Sequence, residues 1–167
     1  MTKLDAVATH RFGRLGRART VVATEPSRFS GVATLTTSRP DLGGPYTRPV
    51  RAELLVDARG RVTVTSVQVE PARLGSVTCE MSLLPGTGTG TGTYVAGNLN
   101  LSLGLLFRIA VLPGADSEIL LTLTTDPRGP RTDPDGRITA SGTGTFQKGY
   151  LGGRTATLEV TGTITAR

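Results

Sequence analysis

One histidine, one cysteine and three tyrosines bound the chemistry open to this chain. A Ser-His-Asp triad has only His10 to draw on. His10 lies in a polar stretch that reads as a solvated tail rather than as a positioned base. The lone Cys79 has no partner for a disulfide within the chain and cannot found a cysteine zinc cluster. Ordinary hydrolase and oxidoreductase readings are set aside, and neither a cofactor nor a metal is expected. What remains is polar groups set among apolar alternation: Tyr94 on the phase of a glycine run, Lys148 and Tyr150 on the phase of Phe146, and Tyr46 in a proline-rich loop.

Those residues need strands to position them. No window carries a convincing apolar 3.6-residue period, whereas period-two alternation recurs and threonine is abundant. Strand-like runs occupy Val21 to Thr24 and Phe29 to Ser38, broken at Glu25-Pro26. Residues 39–49 read as a loop that covers an opening. Val50 to Asp57 then places Val50, Ala52, Leu54 and Val56 on one face. A tight turn at Ala58-Arg59-Gly60 leads into Arg61 to Glu70. There Val62 and Val64 are out of phase with Val67 and Val69, which predicts a bulge around Ser66. Ser76 to Leu84, Asn98 to Leu112, Glu118 to Thr125, Arg137 to Tyr150 and Arg154 to Ala166 complete the series.

Successive strands joined by short hairpins, with no helix between them, make an antiparallel meander. Closure into a barrel buries one face and removes the sheet edges. The expected architecture is all-β: a single antiparallel up-and-down β-barrel of about eight strands over residues 20–167, preceded by a basic arm or lid at residues 1–19. A sandwich is the alternative.

The stretch PGTGTGTGTYVAG, from Pro85 to Gly97, admits three readings. A phosphate loop requires a following helix and Lys, and both are lacking. A flexible linker would not keep a strict period of two. As a strand it puts Gly86, Gly88, Gly90, Gly92 and Tyr94 on one face and the threonines on the other. Glycines pointing inward either hollow the barrel or permit sharp coiling, and the two can hold together. Gly142 and Gly144 repeat the pattern on the phase of Phe146. A cavity in such a barrel would be walled by Met81, Gly88, Gly90, Leu101, Phe107, Leu121 and Phe146, while Glu80 and Arg108 face outward.

The net charge is +6. Residues 1–28 hold six basic side chains and two acidic ones, a net of +4, and the remaining 13 basic and 11 acidic residues leave +2. A nearly neutral body without a stacking strand of aromatics argues against nucleic acid as partner. No apolar run has the length of a signal peptide or a membrane span, so a cytoplasmic protein without membrane contact is the expectation.

At SGTGTFQKGYLGGRTATLEVTGT, residues 141–163, the chain resembles the C-terminal hairpin of allene oxide cyclase-like and dirigent-like barrels. It is also similar to the barrel cyclases of bacterial polyketide pathways, the spirotetronate cyclase or Diels-Alderase type. That resemblance implies a cofactor-independent cyclase of antibiotic biosynthesis, a homodimer, and a loop capping the barrel mouth. Its reaction would be an intramolecular four-plus-two cycloaddition of a linear polyene, promoted by holding the reacting ends together. On this reading Tyr94, with Tyr150 second, is the catalytic hydrogen-bond donor to a dienophile carbonyl. A chain with no Trp and few aromatics departs from that family's pattern. Two readings from other classes stand beside it: a non-catalytic, lipocalin-like barrel carrying an apolar small molecule, and a solid structural barrel.

Overall fold

The computed structural model describes residues 23–74, 76–86, 89–110, 116–125 and 137–166. The arm at 1–19, His10 and Gly88 lie outside them. Among the described residues ten strands follow one another: β1 (Thr24–Thr37), β2 (Tyr46–Asp57), β3 (Arg61–Val69), β4 (Ala72–Leu74), β5 (Val77–Leu83), β6 (Thr91–Val95), β7 (Asn98–Ile109), β8 (Ser117–Thr125), β9 (Ile138–Thr145) and β10 (Thr155–Ala166). Eight of them close a barrel in the order β7-β6-β3-β2-β1-β10-β9-β8, with β8 pairing back onto β7. Every ladder is antiparallel. The remaining two strands extend the wall beyond that ring: β5 pairs with β7 past the end of β6, and β4 pairs with β5. The expected barrel is present, and the sandwich is not.

Alternation places the layers. Phe29, Ala33, Leu35, Ala52, Leu54, Leu158 and Val160 point inward and are buried. Outward positions carry charges and threonines, and cross-strand hydroxyl pairs join Thr34 to Thr47 (3.0 Å), Thr139 to Thr161 (2.9 Å) and Thr143 to Thr157 (2.9 Å). Such pairs suit an exposed pleated surface. No helix among the described residues is long and apolar enough to cross a membrane.

The β2–β3 hairpin turns at Gly60, whose φ of 75° favours glycine. Asp57 Oδ1 accepts from the Arg59 and Arg61 amides at 2.8 and 2.9 Å, and these bonds, the Arg61 one foremost, hold its carboxyl below the ordinary range. Along β2 and β3 the register passes from Glu53↔Ser66 to Leu54↔Val64. Thr65 is therefore the extra residue of a bulge. It keeps Val62, Val64, Val67 and Val69 all turned inward, as the phase slip in the sequence required.

Three expectations are corrected. First, β1 runs unbroken through Pro26. That residue lies beyond the last described β10 pair, Ser27↔Ala166, and among the described residues it is paired only with Leu55 of β2. A proline's missing N–H is tolerated there. Second, β2 begins at Tyr46 rather than Val50, because Leu35 pairs with Tyr46. Third, the glycine run is a strand only from Thr91. The Leu84 amide donates to Gly104 O and the Gly90 amide to Ser102 O, so β7 is met on either side of Leu103 by residues six apart in the chain. Pro85 has no N–H to offer the ladder, and Gly90 turns with a φ of 70°.

Candidate functional site

The two ends of the barrel differ. At one end Phe107 and Phe146, each 1% exposed, meet edge to face. Leu151 and Leu42 are buried with them in the same core. Ser117 is fully buried there, and its Oγ accepts from the Leu151 amide at 3.0 Å. The β9–β10 loop is thereby tied down over this end. The Tyr46 hydroxyl donates to Leu42 O, fastening the β1–β2 loop on the same side. This end is sealed. Tyr150 lies on its outer surface, exposed, with the Arg39 guanidinium 5.0 Å from its ring centroid. Lys148 pairs with Glu118 at 2.8 Å on the rim.

The barrel interior holds a cavity of about 70 Å³. Every side chain lining it is apolar, among them Phe29, Leu54, Val62, Leu101, Leu123 and Val160. Met81 and Leu101 of the expected wall line it. Phe107, Leu121 and Phe146 are buried but lie off the cavity, in the filled part of the core. Gly90 packs against Val64 and Leu83 instead of opening space. Nor do the strand glycines hollow the wall. A Cβ on Gly92 would run into Asn100 O, and one on Gly142 into Thr122 O. They are glycine because neighbouring backbones approach closely in a strongly coiled sheet, which decides for curvature at these positions. Ala33 and Ala52, small residues at inward positions of β1 and β2, are part of the cavity wall. Their alternation was visible in the sequence, although nothing local set them apart from other core positions.

The opposite end is a wider, open mouth of about 300 Å³, bounded by Glu25, Ser27, Val56, Asp57, Tyr94 and Ile164. Ile164 also lines the interior cavity, so mouth and cavity share this side chain. Tyr94 is half-buried, its amide bonded to Gly60 O at 2.7 Å at the β2–β3 turn. The two candidate donors, Tyr94 and Tyr150, therefore stand at opposite ends of the barrel and cannot act on one bond. Ser27 is 7% exposed. Neither its hydroxyl nor that of Tyr94 has a hydrogen-bond partner among the described residues.

No family model, curated protein or solved structure matches the chain. The likeness to cyclase barrels rests on residues 141–163 alone.

The wall has a seam between β3 and β5. The ladder from β3 to β6 ends at Val64, whose amide donates to Gly90 O, and pairing resumes only at Ala72↔Cys79. Val67, Val69 and Met81 flank the gap, half-buried, and all three line the cavity. Glu80 and Arg108 face outward as expected, paired across β5 and β7, with Arg108 3.7 Å from Asp116. Cys79 is buried, and burial pushes its thiol up to about 12. Among the described residues no three His, Cys, Asp or Glu side chains come together.

Proposed function

We propose that the protein binds a small apolar molecule inside the barrel, entering from the end marked by Tyr94. The observation that carries this reading is the interior cavity with purely apolar walls, which shares Ile164 with the wider pocket at the Tyr94 end. Burying aliphatic surface in a dry pocket is favourable and needs no polar partner. Engineered apolar cavities of about 150 Å³ accept benzene. A cavity of about 70 Å³ suits a shorter aliphatic segment, with the rest of the ligand in the mouth. Xenon under pressure tests the reading. Shifts confined to methyls of Val62, Leu101 and Leu123 are expected, and unchanged methyl signals there would overturn it.

A second reading is the cofactor-independent cyclase of polyketide type, a cytoplasmic homodimer. Tyr94 favours it, because its free, half-buried hydroxyl at the mouth is placed to donate to a substrate carbonyl. Ligand pockets commonly begin near 300 Å³, so a folded polyene would have to occupy the mouth and spread the strands around Ile164. Ring closure of a linear polyene, lost in Tyr94→Phe, is the outcome expected of this reading. Binding without product leaves the carrier.

A further inference from the structure

We infer that the seam between β3 and β5 receives the far end of the ligand, which makes that ligand an unbranched aliphatic chain longer than the interior cavity. This inference rests on the binding reading above and names the class of molecule. It starts from where backbone pairing is missing. The ladder from β3 to β6 covers Arg61 to Thr63, and Val64 adds one bond to Gly90 O. Beyond it, among the described residues, Ser66 to Val69 pair with β2 alone and Glu80 to Leu83 with β7 alone. Pairing across the seam returns at Ala72↔Cys79.

The sequence accounts for the gap. The Thr65 bulge falls where the β6 ladder ends, and a bulge bends its strand and sharpens the twist. Pro71 has no N–H to give, and its carbonyl accepts from Arg48 Nε at 3.2 Å rather than from β5. Parting two laddered strands breaks backbone hydrogen bonds, whereas parting β3 from β5 here separates side chains. Those side chains are apolar. Val67, Val69 and Met81 line the cavity, and each is still partly reached by solvent. Met81 is unbranched and adapts readily to a guest.

Geometry sets the length. β3 carries cavity-lining side chains from Val62, paired with β6 near the Tyr94 end, to Val69 at the seam. That stretch of strand spans roughly 20 Å at about 3.3 Å per residue. A chain lying along it passes Val62 and Val64 and leaves between Val69 and Met81. The cavity of about 70 Å³ is too small to enclose such a chain, so the tail takes its room from the seam. A slit of this kind admits a linear chain and rejects a branched one.

The experiment titrates the full-length protein with n-butanol, n-hexanol, n-octanol and n-decanol, with xenon as a headless control. Methyls of Leu101 and Leu123 report the cavity, and those of Val67, Val69 and Met81 report the seam. Affinity should climb about three- to fourfold for each added methylene up to decanol, the worth of burying one such group. The seam methyls should shift with octanol and decanol and stay still with butanol. Val67→Thr keeps a β-branched side chain but puts a hydroxyl in the slit. It should weaken decanol about fivefold and leave butanol and xenon unchanged. Val69→Thr should act alike, and the parent's own methyl shifts stand whether or not either variant folds well. Affinity that levels off after butanol or hexanol, with xenon still bound, would overturn this inference and leave the binding reading standing. So would a climbing affinity whose added shifts fall on Glu25 and Tyr94 at the mouth, or decanol binding unchanged in both folded variants. If neither xenon nor any alcohol binds, both readings fall.

Discussion

The ring of Phe146, from the last residue before the β9–β10 loop, stands edge-on to the ring of Phe107 in β7, with centroids 5.0 Å apart and planes at 85°. This contact plugs one end of the barrel. Such pairs contribute about 0.5–1.5 kcal/mol beyond their buried area.

Phe146→Ala should therefore cost about 3–5 kcal/mol, as for other large-to-small aromatic changes in a core. Phe146→Leu should cost much less. Urea denaturation measures both. Xenon binding in the folded Leu variant should be unchanged, since Phe146 does not line the cavity. A Phe146→Ala protein as stable as the parent would mean that the plug is not formed.

Gly92→Ala should destabilise by about 1–3 kcal/mol or more, because the added methyl meets the Asn100 carbonyl of β7 with no room to yield. Thermal unfolding reads the effect. A neutral result would return these glycines to the role of wall-openers.

Ala52→Val should do the reverse. Its side chain faces the cavity, and valine suits a strand. Filling space of this kind commonly stabilises by about 0.5–2 kcal/mol. The melting temperature should rise while xenon binding falls. Loss of stability with binding intact would show that the void is not where Ala52 points.

The Cys79 thiol has a pKa raised by burial from 9.0 to about 12. Between these values the unfolded chain loses the proton while the folded protein keeps it. The folded state then binds more protons, and stability falls as pH rises. Below 9.0 the group contributes no slope. Denaturation midpoints of the parent should drop across the alkaline window more steeply than those of Cys79→Ala or Cys79→Val. Identical alkaline slopes would show that the thiol is not buried. The folded protein should also react slowly with a disulfide-exchange reagent at mild alkaline pH, since thiolate is the reactive form.

Much of the fold was legible along the chain. Alternation assigns the inward face of β2, β7 and β10, because side-chain direction in a strand has a period of two whatever the strand pairs with. The valine phase slip at Ser66 announced the bulge, since only an extra residue keeps all four valines on one face. The Asp57 to Gly60 turn followed from residue types alone. Tertiary structure decided the rest. That Pro26 could sit inside β1 depended on its pairing with Leu55 of a different strand. That Gly92 and Gly142 serve coiling and not a pocket depended on how near a neighbouring backbone comes, a distance set by closure of the whole barrel. Phe146 and Leu101 share the same apolar, inward character in sequence, yet one plugs an end and the other borders a void. Periodicity names the face a residue points to. Only the packing of strands distant in the chain determines whether that face meets a side chain, a carbonyl or empty space.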